Sequence, residues 1–494
     1  MFKIRRNLTQ RKTPLYSAVR NYLKKDQLSF HVPLHGRGDG APVLMRRGFQ
    51  PLMQWDLTEL APLDDLHLSH HAIKDAQQLA ARLFNAEETF FLVNGVTGGI
   101  LALFLAFCSP GDKVLLTRIS HKSALHGIAL SGALPVYLPV EKDPPTGLPL
   151  NVSAKMVEEA LQEHPDTKLI LITSPSYWGI TADLHAIRKI AIRYDAMLAV
   201  DEAHGTHFPF YRESLPHSSA AGVDIWLQSA HKSLGALTPG AFLHLGHKRF
   251  APPVKFWLQA LQTSSPSYPV MISLDLIRMQ AALMGKKLFS KSWNWSLRLR
   301  SGLEKKGFRL LSPEISDSRD FKLDPCRITF FCPRGEGRLL ARKLAKHRIE
   351  VEMCDDSYLL AVVGPSQLAL SSDFVVRAIT NARSEITSLS APVFSEYSSF
   401  FFLRRTAAFV MSPQKALRSP CISVALEESV GKTSAEMVVL SPPGIPILSP
   451  GEEITEEAVS YLLLKRTQKM LFQGASNPTL LTIKVVAGDI NMVE

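Results

Sequence analysis

Three short stretches carry residue types that could act together. AVDEAHG (199–205) closes an apolar run with two acids and a histidine, SAHKS (229–233) sets a lysine directly behind another apolar run, and VNGVTGG (93–99) is a glycine-rich turn. A carboxylate, an amine and a set of free backbone N–H groups are the parts that pyridoxal phosphate chemistry requires. The carboxylate keeps the pyridine nitrogen protonated so that the ring can accept an electron pair from the substrate's Cα, and the lysine forms a Schiff base with the aldehyde. A helix start, with its unpaired N–H groups and its dipole, holds the phosphate dianion. Asp201 suits the first role, Lys232 the second, and the turn containing Val96, Thr97 and Gly98 the third. Alternation along a strand puts Ala203 on the same side as Asp201, with a side chain small enough for a ring to lie flat. Lys232, among small and hydroxylated residues, is badly placed for ordinary solvation and well placed for a Schiff base.

The letters DEAH also occur in helicase-type ATPases, where the acids hold magnesium. That chemistry needs a GxxxxGK[ST] loop earlier in the chain. The GKT here, Gly431 to Thr433, follows the acids, and Leu426 stands where the first glycine must be.

The elements that must position these residues are legible as alternating patterns. FFLV (90–93), KVLLT (113–117), PVYLPV (135–140), KLILIT (168–173), AMLAVD (196–201) and DIWLQS (224–229) read as buried strands. Between them lie the helical patterns Ile100 to Phe107, Ser153 to Glu163 and Asp183 to Arg193, the last with Leu184, Ile187, Ala191 and Ile192 on one face. Alternation of this kind predicts an α/β domain with a mostly parallel sheet, in which function sits at the carboxyl ends of the strands. The charge-free stretch from Thr89 to Pro110 is broken by Asn94, Gly95, Gly98 and Gly99 and reads as strand, turn and helix rather than a membrane span. After about residue 300 the elements shorten, with RITFF (327–331), a basic helix near Arg338 to His347 and YLLAVVG (358–364). We expect an N-terminal segment (1–60), a large domain (61–300), a smaller α+β domain (301–385) and a C-terminal domain (386–494), with a Ser-, Pro- and Phe-rich connector at 388–420.

Composition excludes several classes. Of the chain's 494 residues, 46% are hydrophobic and 20% charged, the balance of a globular protein. The formal net charge is +11, but eight of the cations fall in the first 25 residues with no acid among them. The rest is close to neutral, so nucleic acid is not an expected partner. Five scattered cysteines, without a CxxC pair or a histidine at ligand spacing, predict neither a disulfide framework nor a metal, and fit a reducing, cytoplasmic setting. The basic start lacks the apolar core of a secretory signal; its composition also fits an organelle transit peptide.

In chain order, Thr13-Pro-Leu-Tyr, FLVNGVTGGI, RISHKSALHGIALSGALPVYL, AVDEAHGTHF, SAHKSLGALTPG, QTSSPSYPVMISLD and SPPGIPILSPGE resemble the Orn/Lys/Arg decarboxylases. The likeness is to their shorter members, fold type I pyridoxal phosphate enzymes related to aspartate aminotransferase. The resemblance implies decarboxylation of arginine, lysine or ornithine to the corresponding amine, in polyamine metabolism. It gives Lys232 the Schiff base, Asp201 the ring nitrogen, and His121 the ring face opposite Ala203. Val96, Thr97 and Ser229 become phosphate contacts, and Thr263 or Ser264 a contact reaching across a homodimer interface. His231 becomes a proton-handling or carboxylate-facing group. Asp65, Glu352, Asp355 and Asp356 are the acids available to a basic substrate side chain. The match of Thr13-Pro-Leu-Tyr to the start of the family's fold leaves about a dozen residues ahead of it, short for a transit peptide. One departure stands out: family members carry a PGHK-like turn where this chain reads Pro33-Leu34-His35-Gly36-Arg37. Another reaction on the same fold, an aminotransferase or aminoacyl-CoA condensing enzyme, and a non-catalytic homologue are the alternatives.

Overall fold

The computed structural model describes residues 8–488 except 26, 27, 145, 214, 313–319, 334 and 387–407. It divides into two compact units: residues 1–106, 199–212 and 217–287, and residues 107–198, 213–216 and 288–494. The expected strands are present as β1 (Glu88–Leu92), β2 (Lys113–Thr117), β3 (Leu134–Leu138), β4 (Thr167–Thr173), β5 (Met197–Asp201) and β6 (Ile225–Gln228), followed by β7 (Ala241–Leu245). The sequence pattern did not announce β7, because His244 interrupts its apolar run.

In the first unit the strand order is β1-β7-β6-β5. β5 and β6 are parallel, with Asp201 opposite Leu227, while β7 runs antiparallel to both β6 and β1. The helix Gly95–Phe107 starts five residues earlier than the apolar pattern indicates, so the glycine-rich turn is its first turn. Gly99 explains how closely this helix lies on the strands: a Cβ there would collide with side chains of Leu227 and Leu92. At the start of the chain the helix Pro14–Leu23 has no cap from its own Thr13. Asp275, from the long helix Tyr268–Lys305, substitutes by accepting the N–H groups of Leu15 (3.0 Å) and Tyr16 (3.4 Å). Arg278 pairs with Asp275 at 2.8 Å and donates to the carbonyl of Gln10. Both side chains of this pair are fully buried.

In the second unit β2 lies between β3 and β4, parallel to each. The helix Ala154–Glu163 is capped by Ser153, and Leu184–Arg193 by Asp183, which accepts two backbone N–H groups. Leu184, Ile187, Ile190 and Ala191 turn inward, whereas Ile192, expected on the same face, is 61% exposed. It follows Ala191 by one position, about 100° around the helix, and so faces away. Strands β8 (Arg309–Leu310), β9 (Arg327–Phe331), β10 (Met353–Cys354) and β11 (Tyr358–Val362) make an antiparallel sheet of order β10-β11-β9-β8. Two antiparallel pairs complete the unit: β12 (Cys421–Ala425) with β15 (Thr482–Val486), and β13 (Val438–Leu440) with β14 (Ile445–Leu448). One apolar core unites Ile119, Trp178, Phe331, Leu360, Ile447 and Leu462. Much of the expected 388–420 connector lies outside the described residues; its last part contains the short helix Pro413–Arg418. Among the described residues no helix is long and apolar enough to cross a membrane.

Candidate active site

β5 and β6, side by side and parallel, deliver their last residues to the same edge of the first unit. Asp201 ends β5 and is 7% exposed. Burial pushes its carboxyl above the ordinary range, opposed by the charge of Lys232 and the N–H of Ala203, which donates to Oδ1 at 3.1 Å. β5 stops at Asp201, so strand alternation does not reach Ala203; a turn built on that hydrogen bond places it instead. Glu202 points elsewhere and is fully buried. It accepts from the N–H and hydroxyl of Ser218 (2.8 and 3.0 Å) and from Gln228 (2.6 Å). Burial lifts its carboxyl to about 7. The chain of polar groups continues from Gln228 to His244 and on to Thr89, at 3.0 and 2.8 Å.

Lys232 stands on the single helical turn Ala230–Ser233 just past β6. It is solvent-accessible rather than shielded, because this turn projects beyond the strand end. Its Nζ lies 3.3 Å from Nε2 of His204. His204 is 8% exposed and was not singled out from the sequence, although it is the histidine of the AVDEAHG motif; its neighbourhood with Lys232 exists only once β5 and β6 are paired. His231 lies with Nδ1 3.2 Å from the carbonyl of Gly240, which can only accept, so Nδ1 carries the proton and Nε2 keeps a lone pair. Burial, followed by the charge of Lys232, holds its pKa below the usual histidine value. Ser229 is buried at the end of the strand, where its carbonyl accepts from Thr206.

The helix Gly95–Phe107 supplies the third component. Gly98 N–H makes a long bond to Asn94 O (3.4 Å), which leaves the N–H groups of Gly95, Val96 and Thr97 directed out of the helix start. Gly95 has φ +71°, a conformation that suits glycine and turns the chain from β1 into the helix. Val96 and Gly98 are buried and Thr97 is exposed. These residues fit pyridoxal phosphate. The buried Asp201 carboxylate calls for a cationic partner, the Gly95–Gly98 turn is an anion site, and Lys232 is an accessible amine. Thr263 and Ser264 are exposed on the loop after Gln262, whose side chain accepts the N–H of Val93 at 2.8 Å. The carbonyl of Thr263 lies 3.0 Å from Nε2 of His67.

His121 belongs to the second unit, where it caps the helix Lys122–Ser131 by accepting Ser123 N–H at Nδ1 (3.2 Å). An Nδ1 that accepts leaves the proton of the neutral ring on Nε2. Among the acids available for a substrate side chain, Asp355 is already matched by the buried Lys465 at 2.6 Å. Asp65 accepts the N–H groups of His67 and Leu68, and Glu352 the hydroxyl of Tyr177 at 2.6 Å. The backbone carbonyl of Asp356 accepts the N–H of Gly335 and Gly337. In the departed N-terminal turn, Gly36, Arg37 and Gly38 all have positive φ and Leu34 is 88% exposed, so leucine at position 34 fits without crowding.

The profile of the Orn/Lys/Arg decarboxylase major domain matches residues 13–368, and that of the Orn/Lys/Arg decarboxylase C-terminal domain matches residues 398–479. An arginine decarboxylase of Bacillus subtilis (strain 168) is 32% identical over 97% of this chain and 99% of its own length. An arginine decarboxylase of Halalkalibacterium halodurans is 33% identical, covering 97% and 98%. Among solved structures, the Francisella novicida lysine decarboxylase LdcF superposes with a TM-score of 0.82 at 21% identity, over 96% of this chain and 81% of that one. The expected fold type I architecture is therefore the fold of this chain.

Proposed function

Because the chain belongs to the Orn/Lys/Arg decarboxylase family, we propose that it removes the α-carboxylate of a basic amino acid with pyridoxal phosphate as cofactor, and that arginine is that amino acid. The observation that carries the reading is the convergence, in one compact unit, of a buried carboxylate at the end of β5, an accessible amine beyond β6 and an open helix start. The choice of arginine is supported by three relatives above 30% identity that bear that name. A cytoplasmic, homodimeric enzyme of polyamine formation is part of the same proposal.

Bound at this site, pyridoxal phosphate supplies a protonated ring that takes up the electron pair left when carbon dioxide departs. Lys232, whose amine is accessible, would be the residue that holds the cofactor aldehyde. Asp201 holds the proton on the ring nitrogen, and that cation in turn offsets the cost of burying its carboxylate. Val96, Thr97 and Gly98 at the helix start, with the Ser229 hydroxyl, bind the phosphate, and Thr263 or Ser264 of a second copy completes it. Ala203 leaves room for the ring. His204, 3.3 Å from Lys232 Nζ, receives or returns the lysine proton. His231 offers its Nε2 lone pair as a proton acceptor. His121 keeps the ring-facing role that the family resemblance gives it.

Purified holoenzyme offered arginine, lysine and ornithine in parallel provides the test. Agmatine is the expected product, with an absorbance band near about 420 nm from the lysine-bound cofactor. Borohydride reduction followed by peptide mapping is expected to place the label on Lys232. A label elsewhere, or no amine from any of the three substrates, sinks the reading and returns the aminotransferase and condensing-enzyme alternatives.

A further inference from the structure

The SPPG segment at residues 441–444 is not used by the reaction as derived, yet it is held with unusual firmness inside the second unit. It joins β13 to β14. Arg118, 2% exposed, donates to the carbonyls of Pro446 (2.9 Å) and Ile447 (2.8 Å) and pairs with the equally buried Glu452 at 3.1 Å. The guanidinium lies 4.4 Å from the centre of the Tyr137 ring, whose hydroxyl is 3.0 Å from Ser449 Oγ. These contacts fix the backbone of β14 to the turn that begins at Arg118 and ends, three residues later, at His121.

At the tip of the segment, Gly444 accepts the N–H of Lys122 at 3.0 Å. Its φ is +83°, and a Cβ built on it would stand 3.0 Å from Cδ2 and 3.1 Å from Nε2 of His121. The other end of the same ring is occupied by Ser123, through its N–H and, at 2.9 Å, its hydroxyl. A histidine ring torsion is soft, so a side chain at position 444 would push the opposite edge aside, and glycine leaves that edge its room.

We infer that Gly444 is a positioning residue for His121, its missing side chain setting the tilt of the imidazole through the Arg118 clamp. The inference rests on the proposed ring-facing role of His121. Any L-residue at position 444 displaces the ring edge by a few tenths of an ångström.

The test compares Gly444→Ala with Gly431→Ala in the holoenzyme. Gly431 also has a left-handed backbone, φ +76°, but nothing lies within 4 Å of its would-be Cβ, so the pair separates backbone strain from contact with His121. G444A is expected to lower kcat about tenfold, with KM nearly unchanged, and to shift the cofactor absorbance band. It is also expected to move the His121 ring NMR resonance, identified by its loss in H121N. G431A is expected to match the melting temperature of G444A while retaining wild-type kcat, spectrum and resonance. In H121N, adding G444A is expected to cost nothing further, and if G444A alone does not fold, H121N/G444A is expected to fold. Equal losses in G444A and G431A, multiplying effects in the double variant, or failure of H121N/G444A to fold overturn the inference. Wild-type activity and spectrum in H121N would instead overturn the role of His121 itself.

Discussion

Glu202 sits beside the acid assigned to the cofactor yet has a different job. Its carboxyl titrates near 7 in the folded protein, against 4.5 as its ordinary value. Between those values the folded state holds a proton that the unfolded chain has lost, so the stability that Glu202 contributes is full below about 4.5 and falls as pH rises toward 7. At about 1.4 kcal/mol per unit, the whole effect is about 3 kcal/mol. Glu202→Gln does not titrate, so urea midpoints measured from pH 5 to 7.5 are expected to favour the variant over wild type increasingly, by up to that amount, and then level off. A difference constant across the range would assign the raised carboxyl elsewhere. The residues of the site divide by how much of this was legible. Asp201 and Lys232 were visible because each follows an apolar run and the two strands are neighbours. His204 was not, because its distance to Lys232 depends on the turn after β5. The accessibility of Lys232 was misjudged from its small neighbours, since composition does not reveal how far a one-turn helix projects.

At the scale of elements, the Asp275–Arg278 pair does the work of a missing helix cap. Removing one partner leaves the other charge buried without compensation, and such losses run to about 3–5 kcal/mol. Asp275→Ala is expected to lose stability on that scale and to expose Arg11 and Lys12 to trypsin in the otherwise folded protein. A loss below about 1 kcal/mol would mean that the pair is no more than a surface-like contact. The strands β1 to β6 were readable because strands buried on both faces form unbroken apolar runs. β7 was not, since the buried His244 breaks its run; its pKa is pushed down to about 3 by burial, so it is a neutral polar member of the core. The short C-terminal strand pairs left no periodic pattern, and Gly444 owes its importance to a residue far away in the chain.

For the whole molecule, the N-terminal stretch leaves Leu28, Phe30, Leu34 and Leu44 between 81% and 95% exposed. Apolar side chains left open in this way are what a second copy would cover, as the proposed dimer requires. Light scattering is expected to give twice the 54.8 kDa chain mass, with Leu44→Glu shifting the population toward the single chain; a mass of one chain for the unmodified protein removes the dimer and with it any cross-subunit role for Thr263 or Ser264. The reversed direction of β7 has a further consequence. Because β6 returns through β7 as an adjacent antiparallel strand, the loop bearing Lys232 is closed at its base, where Gln228 faces Phe242, and cinched again where His231 N–H meets Gly240 O. The lysine proposed to hold the cofactor therefore stands on a fixed pivot: its four-carbon stem can swing while the main chain beneath stays still.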